Sequence, residues 1–137
     1  MFNRRARSFV TIMVVVALSA LLLRLGLHRI IAYRMQQNQL LAQVNLKLFS
    51  TAIENYAKDN KNVYPTNIDL LIKSDPVYLE KDYLALNSLG GYEYDCQRLD
   101  AAGYSCTASP VNCQFSGKTV YAVSTGGLII AENCDKK

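Results

Sequence analysis

The chain changes its pattern of apolar and polar positions twice. Ser8 to Leu23 runs S-F-V-T-I-M-V-V-V-A-L-S-A-L-L-L without a charge. Sixteen helical residues rise about 24 Å, short of a hydrocarbon core of roughly 30 Å. Apolar character resumes after Arg24 through Leu25, Leu27, Ile30, Ile31 and Tyr33, so a span from about Ser8 to about Leu27 is expected, with Arg24 snorkelling to the headgroups. From Leu27 to about Asn60 there is no proline or glycine. Apolar residues recur there at Ile30, Tyr33, Leu41, Val44, Leu48, Ala52 and Tyr56, widened by Leu40, Phe49 and Ile53. Steps of three and four predict one face of a helix, with Gln36, Gln37, Asn38, Gln43, Asn45, Lys47 and Asn55 on the other. Core packing against the protein's own sheet is the expectation for residues 41–56. Asp59-Asn60-Lys61-Asn62 supplies the stop.

A short second helix follows, with Thr66 and Asp69 spaced as a capping box and Pro76 ending it. Residues 77–90 read as an irregular connection. The period then falls to two. Tyr92, Tyr94 and Cys96 alternate with polar residues, as do Tyr104, Cys106 and Ala108 after a turn at Asp100–Gly103. Thr119–Ser124 is a third strand, Gly126-Gly127 a tight turn and Leu128–Ala131 a fourth strand. The predicted class is α+β: a long N-terminal helix packed on three or four short antiparallel strands, each covering the other's apolar side.

Charge follows the same division. The net charge is +4. Six arginines (Arg4, Arg5, Arg7, Arg24, Arg29, Arg34) fall in the first 34 residues, and the first acid is Glu54. The rest of the chain holds nine basic against eleven acidic residues. The positive charge therefore belongs to the membrane segment and gives no reason to expect a nucleic-acid partner. The basic cluster before the apolar run is expected to stay in the cytoplasm, which sends the body across the membrane. A secretory signal cut near Ala17-Leu18-Ser19 is the competing reading. It would leave Leu21, Leu22 and Leu23 at the start of a soluble protein.

All four cysteines, Cys96, Cys106, Cys113 and Cys134, lie in the β region. Of three pairings, Cys96–Cys106 across the hairpin and Cys113–Cys134 at the tail are favoured. The second closure stabilises by about 3 kcal/mol on a chain-entropy estimate. Zinc is the rival, but there is no C-x-x-C and the only histidine is His28. Disulfides imply an oxidising compartment. No enzyme is expected: there is no Gly-rich phosphate loop and no G-x-S-x-G, and the body has no histidine. Glu93, Asp95 and Asp100 read as solvated strand and turn residues, and Ser88-Leu89-Gly90-Gly91 as a loop.

The order of these features resembles the type IV pilins, above all the pseudopilins of type II secretion systems. The resemblance rests on Phe9-Val10-Thr11-Ile12-Met13-Val14-Val15-Val16-Ala17 after a basic leader. It continues through Asn45-Leu46-Lys47, Ala52-Ile53-Glu54-Asn55-Tyr56-Ala57, Asp59-Asn60 and Tyr64-Pro65-Thr66. In the sheet it rests on Gly91-Tyr92-Glu93-Tyr94, Gly103-Tyr104, Thr107-Ala108-Ser109-Pro110, Gly117 to Val123 and Gly127-Leu128-Ile129-Ile130. It covers nearly the whole chain.

The resemblance implies a basic leader over 1–8, a membrane helix over 9–33 and an extracytoplasmic domain over 34–137. Within that domain it implies helix to about 60, loop over 61–90 and sheet over 91–134. It implies leader cleavage between Ser8 and Phe9 by a prepilin peptidase, methylation of the new terminus, and assembly through Phe9, Val10, Thr11, Ile12, Met13, Val14, Val15 and Val16. Its partners would be other pilin-like subunits, an inner-membrane assembly platform and the lipid bilayer. The protein would sit in a bacterial inner membrane as a single-pass chain, N-terminus cytoplasmic, body periplasmic or extracellular. No cofactor is implied beyond a structural calcium near Glu132 and Asp135. Ser8 stands where the family has glycine, Met13 where it has glutamate, and the helix-breaking proline is missing, with Gly26 the nearest substitute. These departures point to a minor or tip subunit. The alternative is a permanently anchored periplasmic interaction module that is neither processed nor polymerised.

Overall fold

The computed structural model describes residues 4–136. The leader residues Met1–Asn3 and the side chains as far as Arg7 lie outside the described part. Helix α1 runs without interruption over Arg4–Asp59. Helix α2 is a single turn, Asp69–Ile72. Four strands follow, β1 (Tyr92–Asp100), β2 (Gly103–Pro110), β3 (Thr119–Ser124) and β4 (Leu128–Asn133), and a 3-10 turn closes the chain at Cys134–Lys136. The strands form one antiparallel meander in the order β1-β2-β3-β4. The fold is α+β, a long helix on a four-stranded antiparallel sheet. The chain divides into two compact units, residues 1–34 and residues 35–137.

In the second unit the register aligns one apolar row. Tyr94 lies opposite Ala108, Ala108 opposite Tyr121, and Tyr121 opposite Ala131. Directly opposed residues share a sheet face, and this row faces the helix: Tyr94 and Ala108 are buried. The next row is Cys96, Cys106, Val123 and Ile129. The core joins these strands to Ala42, Leu46, Phe49, Ala52 and Ile53 of α1, with Ile68 and Leu71 at α2 and Leu79 beyond it. The β3–β4 connection places Gly126 and Gly127 at φ +93° and +73°, a left-handed geometry that glycine adopts without steric cost.

The face that α1 buries is only in part the one its periodicity predicts: Phe49, Ala52 and Ile53 are buried as expected. Leu41, Val44 and Leu48 are exposed, as is Leu40. The buried positions are Ala42, Asn45, Leu46, Phe49, Ser50, Ala52, Ile53 and Ala57. At 3.6 residues per turn the two sets point roughly 150° apart. The helix therefore carries two apolar faces. The predicted stripe drifts between them, because each step of four advances about 40° around the axis. It begins on the outer face at Leu41 and Val44 and ends on the inner face at Ala52. The inner face escapes a hydrophobicity reading because Asn45 and Ser50 belong to it. Both are satisfied there, since Asn45 Nδ2 donates to Tyr94 Oη at 3.1 Å and Ser50 Oγ pairs with Tyr104 Oη at 3.3 Å.

Two smaller expectations also change. Thr66 does not cap α2: the cap position is Ile68 without a side-chain bond, and Asn67 Oδ1 accepts from the Asp69 amide instead. Strand β4 extends to Asn133, beyond Ala131. The end of α1 follows the Asn-rich stop, with Lys61 and Asn62 at φ 57° and 63° and the Asn62 amide bonded to the Ala57 carbonyl at 2.7 Å.

The face assignment makes a direct prediction. Leu46→Ala removes a side chain that is 1% exposed and should cost about 2–5 kcal/mol. Leu48→Ala, at a residue 53% exposed, should stay within about 0.5 kcal/mol. Urea unfolding of the detergent-solubilised chain, followed by near-UV dichroism of the tyrosines, measures both.

Candidate functional site

Two regions carry the residues singled out in the sequence, and each belongs to its own unit. In the first unit, Phe9, Val10, Ile12, Met13, Val14, Val15 and Val16 are all exposed, Phe9 to 65%. Ser8 and Thr11 are exposed as well. They lie within α1, with Ser8-Phe9 inside a helical turn. No described residue between Ser8 and Arg34 is buried. A helical stretch rich in Val, Leu and Ile that buries none of them leaves a large apolar surface uncovered, which water does not favour. One helix near the N-terminus is thus long and apolar enough to cross a membrane. What Phe9–Val16 offer is contact area with apolar surroundings.

In the second unit, Glu54 ties together segments far apart in the chain. Its Oε1 accepts from Tyr104 Oη at 2.9 Å and from the Gly126 amide at 2.7 Å, and its Oε2 accepts from Tyr64 Oη at 3.2 Å. One carboxylate on α1 thereby holds the β3–β4 connection, the start of β2 and the segment after the helix. Its position on the helix explains this reach, because Ile53 beside it is fully buried and brings Glu54 to the rim of the core. Its signal along the chain is weak: Glu54 is the first acid and sits in a helix otherwise rich in amides.

Two buried tyrosines respond to this environment. Burial pushes the Tyr104 hydroxyl up to about 12, and the Glu54 carboxylate adds to the shift. Burial also pushes Tyr92 up to about 12, with Tyr121 nearby as the next cause. Tyr92 Oη donates to the Thr119 carbonyl at 2.8 Å and leaves no room for a side chain at position 117, where a Cβ would stand 2.0 Å from that oxygen. Tyr64 is likewise raised, by burial first and by Glu54 second. These groups anchor the sheet to the helix; none of them is exposed in a cleft with a nucleophile.

The cysteines form two disulfides, Cys96–Cys106 and Cys113–Cys134, the two pairs favoured from the sequence. The first joins directly opposed residues of β1 and β2. The second ties the segment between β2 and β3 to the residue after β4, and the Cys134 amide adds a bond to the Lys118 carbonyl at 2.9 Å. Among the described residues, Cys113, Cys134 and Asp135 are the one grouping close enough to hold an ion. With both sulfurs committed to a disulfide, it offers a single carboxylate, and Gln114 Nε2 already donates to Asp135 Oδ2. Glu132 is not in that grouping.

The other acids have local work. Asp100 accepts from Arg98 Nε at 2.8 Å and from the amides of Ala102 and Gly103, a turn-closing role. Its carboxyl is held below the usual range, first by the Arg98 bond. Asp59 accepts from Tyr78 Oη at 2.6 Å. That pair lines an open cleft of about 510 Å3 between the end of α1 and α2, with Tyr56, Asp69, Lys73 and Asp75 around it. Lys73 is paired with Asp69 at 3.1 Å.

No protein-family model and no curated protein matches the chain.

The tyrosine network predicts a pH window. An unfolded chain ionises tyrosine near 10, whereas folded Tyr92 and Tyr104 keep their protons to about 12. Their contribution is complete below about pH 10 and is lost as pH rises through about 12. Melting temperature should therefore fall across that interval, in step with late tyrosinate absorbance. Glu54→Gln removes the neighbouring charge and should move the Tyr104 part of that titration to lower pH.

Proposed function

We propose that this chain is a pilin-like structural subunit, of the pseudopilin or minor-pilin kind, that works by association rather than by chemistry of its own. The observation that carries this reading is the division of α1. Phe9 to Leu23 is wholly apolar and exposed, save for Ser19 and Thr11 as its polar members. Ala42 to Ala57 is the stretch covered by a four-stranded antiparallel meander. The layout of helix, connection, tyrosine-rich sheet and terminal glycine-then-strand supports the same family.

On this reading the apolar segment holds the subunit in a bacterial inner membrane until it bundles with the same segment of neighbouring subunits. The basic leader stays in the cytoplasm, and the disulfide-bonded body lies in the periplasm or outside. A prepilin peptidase would cut between Ser8 and Phe9, and the assembly platform would extract the shortened helix. Ser8 in place of glycine and Met13 in place of glutamate favour a second reading, a permanently anchored interaction module that is not processed.

The terminus of the mature protein in membranes separates the two. Terminal sequencing or intact mass should find a start at Phe9, carrying an N-methyl group, for the assembling subunit. A start at Met1 supports the fixed anchor. A start near Ala20 with release into the soluble fraction contradicts both.

A further inference from the structure

We propose that Arg24, Arg29 and Arg34 form a cationic collar that binds the phosphate headgroups of anionic phospholipids at the C-terminal end of the apolar run. The proposal rests on the membrane placement of α1 and adds a lipid preference to it. The three arginines are spaced by five residues within one continuous helix. Five residues advance about 140° around the axis, so successive guanidiniums point to different sides. Together they encircle the helix over a rise of about 15 Å. A partner helix would be met by cations spaced three and four apart along one face. A ring of cations instead matches something that surrounds the helix, which is what headgroups do.

The surroundings agree. Arg24, Arg29 and Arg34 are exposed, as is His28 between them. The described ion pairs, Lys73–Asp69 and Arg98–Asp100, involve none of them, and no acid precedes Glu54 in the chain. The cations alternate with exposed Leu25, Leu27, Ile30, Ile31 and Tyr33. Aliphatic residues, cations and a tyrosine on the same turns are the composition of a bilayer interface rather than of its centre. The uncharged core then reduces to Phe9–Leu23, about 22 Å of helix, so the bilayer thins locally and brings phosphates toward Arg24. Guanidinium pairs with phosphate through two parallel bonds, and a basic residue near an anionic surface is worth about five-fold in binding.

The test uses the full chain reconstituted in phosphatidylcholine bilayers, with trace spin-labelled phosphatidylglycerol or phosphatidylcholine. Electron paramagnetic resonance reads the fraction of each label held at the protein. The expected result is a several-fold preference for phosphatidylglycerol that high salt weakens. Arg24→Gln/Arg29→Gln/Arg34→Gln should bring it close to unity, and Arg4→Gln/Arg5→Gln/Arg7→Gln should leave most of it. Soluble glycerol phosphate at matched ionic strength should not compete; full competition would mark a site for free phosphate esters and overturn the lipid assignment. Absence of selectivity, or its survival in the collar variant, overturns the collar, and the second outcome assigns it to the leader. Retention in alkali-washed bilayers is measured alongside. A chain that washes out contradicts the membrane reading itself, whereas one that stays without selectivity contradicts the collar alone.

Discussion

The sheet has one face to offer the helix, and that face reaches only part of it. Every buried position among the described residues of α1 falls between Ala42 and Ala57, about four turns of a helix that runs from Arg4 to Asp59. Burial of apolar surface is the main favourable term in folding, at roughly 25 cal/mol per Å2. Within residues 35–137 that term fixes Leu46, Phe49 and Ile53 against Tyr92, Tyr104 and Val123. It cannot act in this way on Phe9–Leu23, whose side chains no strand covers. The need to cover that surface by something other than the protein's own sheet governs every functional reading of the chain.

Polar groups then decide how the core is oriented. A helix with apolar residues on two sides could present either to the sheet. Asn45 and Ser50 lie on one side only, and each meets a tyrosine hydroxyl of the sheet. Glu54, on the same side, collects three donors from three separate segments. A buried polar group without a partner costs about 1–3 kcal/mol, so rotating the helix to bury Leu41, Val44 and Leu48 would strand these groups and their partners together. Leu40, Leu41, Val44 and Leu48 are left facing outward.

Much of the fold was legible in the sequence, because alternation and turn residues in the second half are strong local signals. The strand sites at Tyr92, Tyr104, Thr119 and Leu128, the glycine turn and the irregular stretch over 77–90 all follow from them. The first cysteine pair followed from strand register, since opposed positions in a hairpin bring Cys96 to Cys106. The helix face was legible only at Phe49, Ala52 and Ile53. Steps of three and four are satisfied by Leu41, Val44 and Leu48 whether they meet a sheet or not, and the core-facing Asn45 and Ser50 carry no hydrophobic signal. Nor was the role of Glu54, whose donors come from positions 64, 104 and 126 and meet only after folding. The apolar run was plain from composition, and residues from Ser8 to Arg34 are exposed throughout.

Cysteine scanning of the reconstituted full chain tests this division most directly, because all four native cysteines are in disulfides. Single cysteines placed along α1 would be challenged with a membrane-impermeant maleimide. Protection throughout 9–23 by the bilayer, protection at 42, 46, 49 and 53 by the sheet, and rapid labelling at 40, 44 and 48 are expected. Labelling along 9–23 would contradict the membrane placement, and protection at 44 and 48 with labelling at 46 and 53 would contradict the two-faced helix.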